Sequence, residues 1–176
     1  MGDSITLVQD TREQLGYKDL FQSCCIIATL ESADYTVLGL ENLIGIERKS
    51  LGVLLNSLTN DRERFERELR RARSFHKFFI LVECSPSDLL VDSFGKFSQA
   101  HPRSIWGSLC TWMTRYHPFI FGGNRESSAK LCESVLLGYA KEFFKGAERM
   151  TRAVKRNNRP RTYTGVEQDT NFAVPF

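Results

Sequence analysis

The sequence predicts an α/β fold in which a mixed central β-sheet is flanked by helices. Three observations carry that expectation. Short β-branched and aromatic runs cluster before residue 50, and from there on strand-like runs alternate with stretches of helical apolar spacing. The chain has 176 residues, 41% hydrophobic and 26% charged, which fits one domain of ordinary globular composition. Strands that pair locally and then alternate with helices form a sheet with helices packed on it.

Taken in order, Ile5-Thr6-Leu7-Val8 reads as a first strand ending at Asp10, and Asp10 to Tyr17 breaks the pattern as a loop. The apolar run Cys25 to Leu30 precedes Glu31-Ser32-Ala33-Asp34 and the strand-like Tyr35-Thr36-Val37. Turn chemistry at Gly39-Leu40-Glu41-Asn42 then leads through Leu43, Ile44 and Ile46 into Glu47-Arg48-Lys49. Two strands joined by a short Gly/Asn turn make a hairpin. Ser50 can cap a helix carrying Leu51, Leu54, Leu55 and Leu58. Asn60 or Asp61 opens a second helix with Phe65, Leu69 and Ala72 on one face and mostly Arg and Glu on the other.

Phe78 to Val82 has the length and composition of a buried strand, stopped by Ser85-Pro86. Residues 91–102 read as a polar connection. Ile105, Leu109, Trp112, Met113 and Tyr116 place a third helix over 103–116. Pro118 to Phe121 is a short strand, and Gly122-Gly123 turns into a final helix with Cys132, Val135, Leu136, Tyr139 and Phe143 on one face. From Lys145 the chain turns basic and later loses periodicity. It therefore divides into a domain over 1–145 and a basic, flexible tail over 146–176.

Several function classes are set aside by composition. No apolar run approaches the ~18 residues of a membrane span, and the N-terminus lacks a signal peptide's basic start and apolar stretch. Gly2 with Thr6 meets the loose myristoylation pattern, but nothing else points to a membrane. Five scattered cysteines without a C-x-x-C pair or Cys/His cluster argue for free thiols rather than zinc. Formal net charge is only +3, so any basic surface must be local.

Phosphodiester hydrolysis needs carboxylates to hold a divalent cation, the cation to activate water, and a lysine to orient the nucleophile or offset charge on the phosphate. Hairpin pairing can bring Asp34, at the start of one strand, and Glu47, near the end of the next, to the same end of the sheet. Strand alternation puts Glu47 and Lys49 on one face and Arg48 on the other. Glu-x-Lys alone is a weak signal, because an exposed strand end with an ion pair looks the same.

Its context is more specific. Asp10-Thr11-Arg12-Glu13, then Ala33-Asp34-Tyr35, then Ile46-Glu47-Arg48-Lys49-Ser50-Leu51 resembles the nuclease domain of XPF-type (xeroderma pigmentosum group F) endonucleases, of the PD-(D/E)xK superfamily. The similarity extends through Arg64 to Leu69 and the strand Phe79 to Glu83, covering roughly residues 5–143. The resemblance implies a restriction-endonuclease-like fold and a Mg²⁺-dependent DNA endonuclease, Mn²⁺ substituting, structure-specific in repair or recombination. By position it implies Asp34 and Glu47 as metal ligands with Asp10 at the metal site. Lys49 would be the catalytic lysine, with Glu13 and Arg48 alongside. The partners it implies are DNA, branched or at a single-strand/double-strand junction, and a second copy as a homodimer, with no membrane. The location would be cytoplasmic or nucleoid in a bacterium or phage, and nuclear in a eukaryote.

Two departures matter. The family's glycine before the aspartate is Ala33, and the last acid of its E-R-K-x-x-x-D pattern is Val53. The second keeps open a catalytically weak or inactive relative that binds DNA or recruits a partner. An unrelated α/β interaction module is the bland rival. For DNA contact, Arg12 and the uncompensated helix end at Arg70, Arg71 and Arg73 are candidates, as is the basic run containing Lys155 and Arg156.

Overall fold

The computed structural model describes residues 5–91 and 101–157. Six strands form one mixed sheet: β1 (Leu7–Asp10), β2 (Cys25–Ala28), β3 (Tyr35–Val37), β4 (Ile44–Ser50), β5 (Lys77–Glu83) and β6 (Phe119–Phe121). Their order across the sheet is β2-β1-β3-β4-β5-β6. β3 runs antiparallel to both β1 and β4, and the pairs β1–β2, β4–β5 and β5–β6 are parallel. Four α-helices accompany them: α1 (Leu51–Leu58), α2 (Arg62–Arg71), α3 (Pro102–Arg115) and α4 (Arg125–Asn157). The mixed, helix-flanked sheet expected from the sequence is present.

The chain divides into two compact units, Met1–Glu142 and Phe143–Phe176. All six strands belong to the first. Its core lies in two layers, one on each face of the sheet. On one face, Leu54, Leu55 and Leu58 of α1, Phe65 and Leu69 of α2, and Leu109 and Trp112 of α3 cover Phe78, Ile80 and Val82 of β5. On the other, Ala129, Cys132, Leu136 and Ala140 of α4 cover Leu7, Tyr35, Ile44, Ile46 and Leu81. The period-two alternation along β4 and β5 distributes side chains between these layers.

Local signals account for the segment that carries the site. The hairpin turn ends with Leu43 and Ile44 donating to the Leu40 carbonyl, and Gly39 adopts φ +83° there, a conformation that only glycine reaches without strain. Ser50 ends β4 and caps α1, its hydroxyl accepting from the Val53 amide at 3.4 Å. Helix α4 continues to Asn157, into the segment that the sequence assigns to the tail. Most of the 91–102 connection, residues 92–100, and residues 158–176 of the tail lie outside the described residues.

Candidate active site

One row across the sheet brings the expected acids together. Gln9, Tyr35 and Ile46 face one another in register, so Asp10, Asp34 and Glu47 form the neighbouring row, Asp10 closing β1, Asp34 leading into β3 and Glu47 within β4. The main chain continues the pairing there: the Asp34 amide donates to the Ile46 carbonyl at 2.9 Å, and the Asp10 amide to the Asp34 carbonyl at 2.8 Å. Ala33, just before Asp34, has φ +73°. Gly45 lies beneath it, where a Cβ would come within 2.8 Å of the Phe78 ring and 3.0 Å of the Ala33 Cβ.

Asp34 and Glu47 line a cleft of about 270 Å³ on the α2 side of the sheet. Its floor is apolar (Phe65, Leu69, Phe78 and Ile80), and Arg12, Glu31, Glu68 and Arg71 also line it. One Asp34 oxygen accepts from the Arg48 amide at 2.7 Å. Burial, then the charges of Glu47 and Glu13, holds the Asp34 carboxyl well above the usual carboxylate range. Lys49 is only 6% exposed; its ammonium donates to Glu47 Oε1 at 3.1 Å and lies 4.3 Å from the centre of the Phe65 ring. Of the carboxylates that line the cleft, Asp34 and Glu47 thus interact electrostatically, and the Lys49 ammonium is bonded to Glu47.

Arg48 leaves the opposite face. Its guanidinium is held between Glu13 (Nε to Oε2, 2.7 Å) and Glu83 (Nη1 to Oε2, 3.0 Å). The hydroxyl of Tyr17 donates to Glu83 at 2.6 Å, and that of Tyr35 to Glu13 at 3.2 Å. The Tyr17 and Tyr35 rings stack with centroids 5.1 Å apart. Asp10 is engaged elsewhere than with Asp34 and Glu47: its two oxygens accept from the Arg12 amide and guanidinium and from the Leu30 amide, at 2.6–3.2 Å. These bonds, Arg12 foremost, hold its carboxyl below the ordinary value despite burial.

Of the expected DNA-contacting residues, Arg12 and Arg71 line the cleft. Arg70 pairs with Glu66 at 3.1 Å. Arg73 donates to the Arg115 carbonyl at 2.8 Å, its guanidinium 5.0 Å from the Tyr116 ring centre. Lys155 and Arg156 are exposed on α4 in the second unit. The sequence alone assigns no role to Glu83, Tyr17, Glu31 or Glu68. Glu83 has a faint signal, an acid closing an apolar strand, but its meeting with Arg48 depends on the register of β5 against β4.

Among the described residues no group of three or more His, Cys, Asp or Glu side chains is arranged to hold a metal ion. Two carboxylates remain compatible with Mg²⁺, which keeps several waters and is commonly bound through one or two such groups. A hard, anionic donor pair in a cleft fits that ion and does not fit zinc, which favours nitrogen and sulfur ligands. Among the described residues no helix is long and apolar enough to cross a membrane.

Comparison with known proteins bears on the family and the fold. A family model described as the ERCC4 domain matches residues 9–135. Among solved structures, XPF from Aeropyrum pernix superposes with a TM-score of 0.63 at 19% identity, over 86% of this chain and 73% of that one. XPF from the same organism in complex with DNA gives 0.63 at 20% identity, over 78% and 66% respectively. No curated protein matches the chain.

Proposed function

Because the chain belongs to the ERCC4-domain family, we propose that it is a metal-dependent endonuclease that hydrolyses DNA phosphodiester bonds. Mg²⁺ would be its cation, with Mn²⁺ able to substitute. The observation that most supports this is the shared cleft of Asp34 and Glu47, with Lys49 bonded to Glu47. Asp34 and Glu47 would hold the cation, whose chemistry when bound would be to polarise the phosphate and lower the pKa of a water.

The protein's own groups do the rest. Lys49, buried against Phe65, has little freedom to leave Glu47, so its ammonium is preorganised to orient the nucleophile or balance phosphate charge. Arg12 and Arg71 lie on the cleft where a DNA backbone would approach. Asp10 acts indirectly, because its oxygens are engaged in folding the turn that presents Arg12. Glu13 and Arg48 likewise act by positioning, as their charges pair behind the strand. Junction or branched DNA as the favoured substrate, and work as a homodimer in repair or recombination, extend the same reading.

The test is cleavage of flap, fork and single-stranded DNA by purified protein with Mg²⁺ or Mn²⁺. Glu47→Gln and Lys49→Ala should abolish cutting while folding and DNA binding persist, and EDTA should stop the wild type. Equal cleavage in EDTA, or by either variant, would overturn the assignment. A second reading, a DNA-binding relative without catalysis, is favoured by one observation: Val53, in place of the pattern's last acid, is 50% exposed and brings no carboxylate to the first turn of α1. Tight DNA binding without cleavage under every condition would support it.

A further inference from the structure

The chain places a closed ring of polar contacts behind the cleft, on the face of the sheet opposite to Glu47 and Lys49. Arg48 bonds Glu13 and Glu83; Glu83 takes the Tyr17 hydroxyl and Glu13 the Tyr35 hydroxyl; the Tyr17 amide donates to the Tyr35 oxygen at 3.1 Å, closing the ring. The Arg48, Glu13 and Glu83 side chains are only 15%, 14% and 14% exposed, and both tyrosines are fully buried. Its members come from β3, β4, β5 and the segment after β1.

A buried ion triad is a poor stabiliser. Desolvation offsets most of its attraction, and apolar residues of similar volume often serve stability as well or better. What such a ring supplies is geometric: an arginine gripped on both sides has one orientation. Arg48 is the residue whose amide bonds Asp34 at 2.7 Å, and its neighbours Glu47 and Lys49 project to the opposite face of the sheet by strand alternation. Holding its side chain from behind fixes the amide that aims the Asp34 carboxylate.

We propose that Glu83 and Tyr17 are positioning residues for the metal-binding carboxylate Asp34, acting through Arg48 from the far side of the sheet. The assignment deepens the nuclease reading and rests on it. Neither residue lines the cleft. Glu83→Gln keeps an acceptor for the Tyr17 hydroxyl but removes the charge facing Arg48, and Tyr17→Phe removes only the donor.

The experiment has three readouts on the full chain: cleavage as a function of Mg²⁺ concentration, KM for DNA, and the Arg48 amide resonance in ¹H–¹⁵N spectra. For Glu83→Gln the Mg²⁺ concentration for half-maximal cleavage should rise, or kcat fall, by about 10–100-fold, the range for loss of a partner that orients a ligand. KM should stay within about twofold, and the Arg48 amide should shift as its bond to Asp34 loosens. Tyr17→Phe should move the same readouts in the same direction by less. The triple variant Glu13→Leu, Arg48→Met, Glu83→Leu separates positioning from folding: it should melt no lower than wild type yet cut at least about 100-fold more slowly.

Unchanged Mg²⁺ dependence and an unmoved amide in Glu83→Gln would overturn the proposal, as would full activity in a stable triple variant. If the wild type neither binds Mg²⁺ nor cleaves DNA, the nuclease reading fails with it. The amide readout needs no turnover, so a shift there shows that Glu83 still orients Asp34, and its absence shows that it does not.

Discussion

Asp34 is where stability and the proposed chemistry pull in opposite directions. Its carboxylate is partly buried and faces the charges of Glu47 and Glu13, so the folded chain holds it at a cost that a bound cation would relieve. Asp34→Asn keeps an oxygen to accept from the Arg48 amide but removes the charge. At neutral pH this variant should melt higher than wild type, by about 2–4 °C for each kcal/mol gained, and should lose cleavage by at least about 100-fold. Calorimetric melting beside the cleavage assay checks both halves. A lower melting temperature would mean that the charge is already compensated.

Ala33, one residue earlier, carries a different strain. Its φ of +73° costs an L-residue about 1–2 kcal/mol, while its methyl packs into the layer under α1 and α2. Ala33→Gly relieves the first and loses the second, so its stability should stay within about 1 kcal/mol of wild type. Ala33→Val puts a branched side chain in a conformation that it rarely adopts and should cost about 2 kcal/mol or more. Denaturant melts of the two variants give the contrast directly. The family pattern's glycine here therefore reports a backbone demand that this chain meets with alanine.

At the scale of elements, α2 and α3 meet β6 around a buried histidine. His117 follows α3, is 8% exposed, and contacts the Leu69 carbonyl of α2 at 3.1 Å. Burial, aided by Arg73, pushes its pKa below the ordinary 6.5, against the pull of the Leu69 bond. The unfolded chain therefore binds a proton at a pH where the folded chain does not. By linkage, stability at this group falls as pH drops below about 6.5 and stops falling below the lowered folded value. Replacing His117 by Gln should flatten that acid limb of a stability–pH curve, even if it lowers the plateau. An unchanged slope would show that other groups dominate it.

The same elements show how much of the fold was legible. The hairpin of β3 and β4, the Ser50 cap and the apolar spacing of α1, α2 and α3 are local patterns, and each stands within a residue or two of its expected place. β1 ends at Asp10 as expected but begins at Leu7 rather than Ile5, because pairing with β2 and β3 decides which part of the run is strand. α4 runs on to Asn157 because Lys and Arg propagate a helix well once begun, although they read by composition as tail.

For the whole molecule, the question is how a chain of net charge +3 would hold DNA. Arg12 and Arg71 lie at the cleft, and Lys155 and Arg156 lie exposed on α4. Each cation that neutralises a phosphate releases counterions, which makes binding salt-dependent. Arg71→Ala, or Lys155→Ala with Arg156→Ala, should weaken DNA binding across all sequences. The slope of log affinity against log salt should fall by about one for each phosphate no longer neutralised. Fluorescence anisotropy over a salt series measures it. A slope untouched by the α4 pair would leave the cleft as the DNA surface.

By itself the sequence determined the α/β class, the hairpin, and the placing of Glu47 and Lys49 together with Arg48 turned away, because these follow from periodicities of two and 3.6 residues acting over short spans. Only the tertiary structure decided what the charged groups do. It engaged both oxygens of Asp10 at Arg12 and Leu30, set Glu83 and Tyr17 behind Arg48, and brought the buried Asp34 under the charge of Glu47. Those outcomes join residues up to 66 positions apart. They depend on strand register and burial, which set the strength of a charge and which no local pattern records.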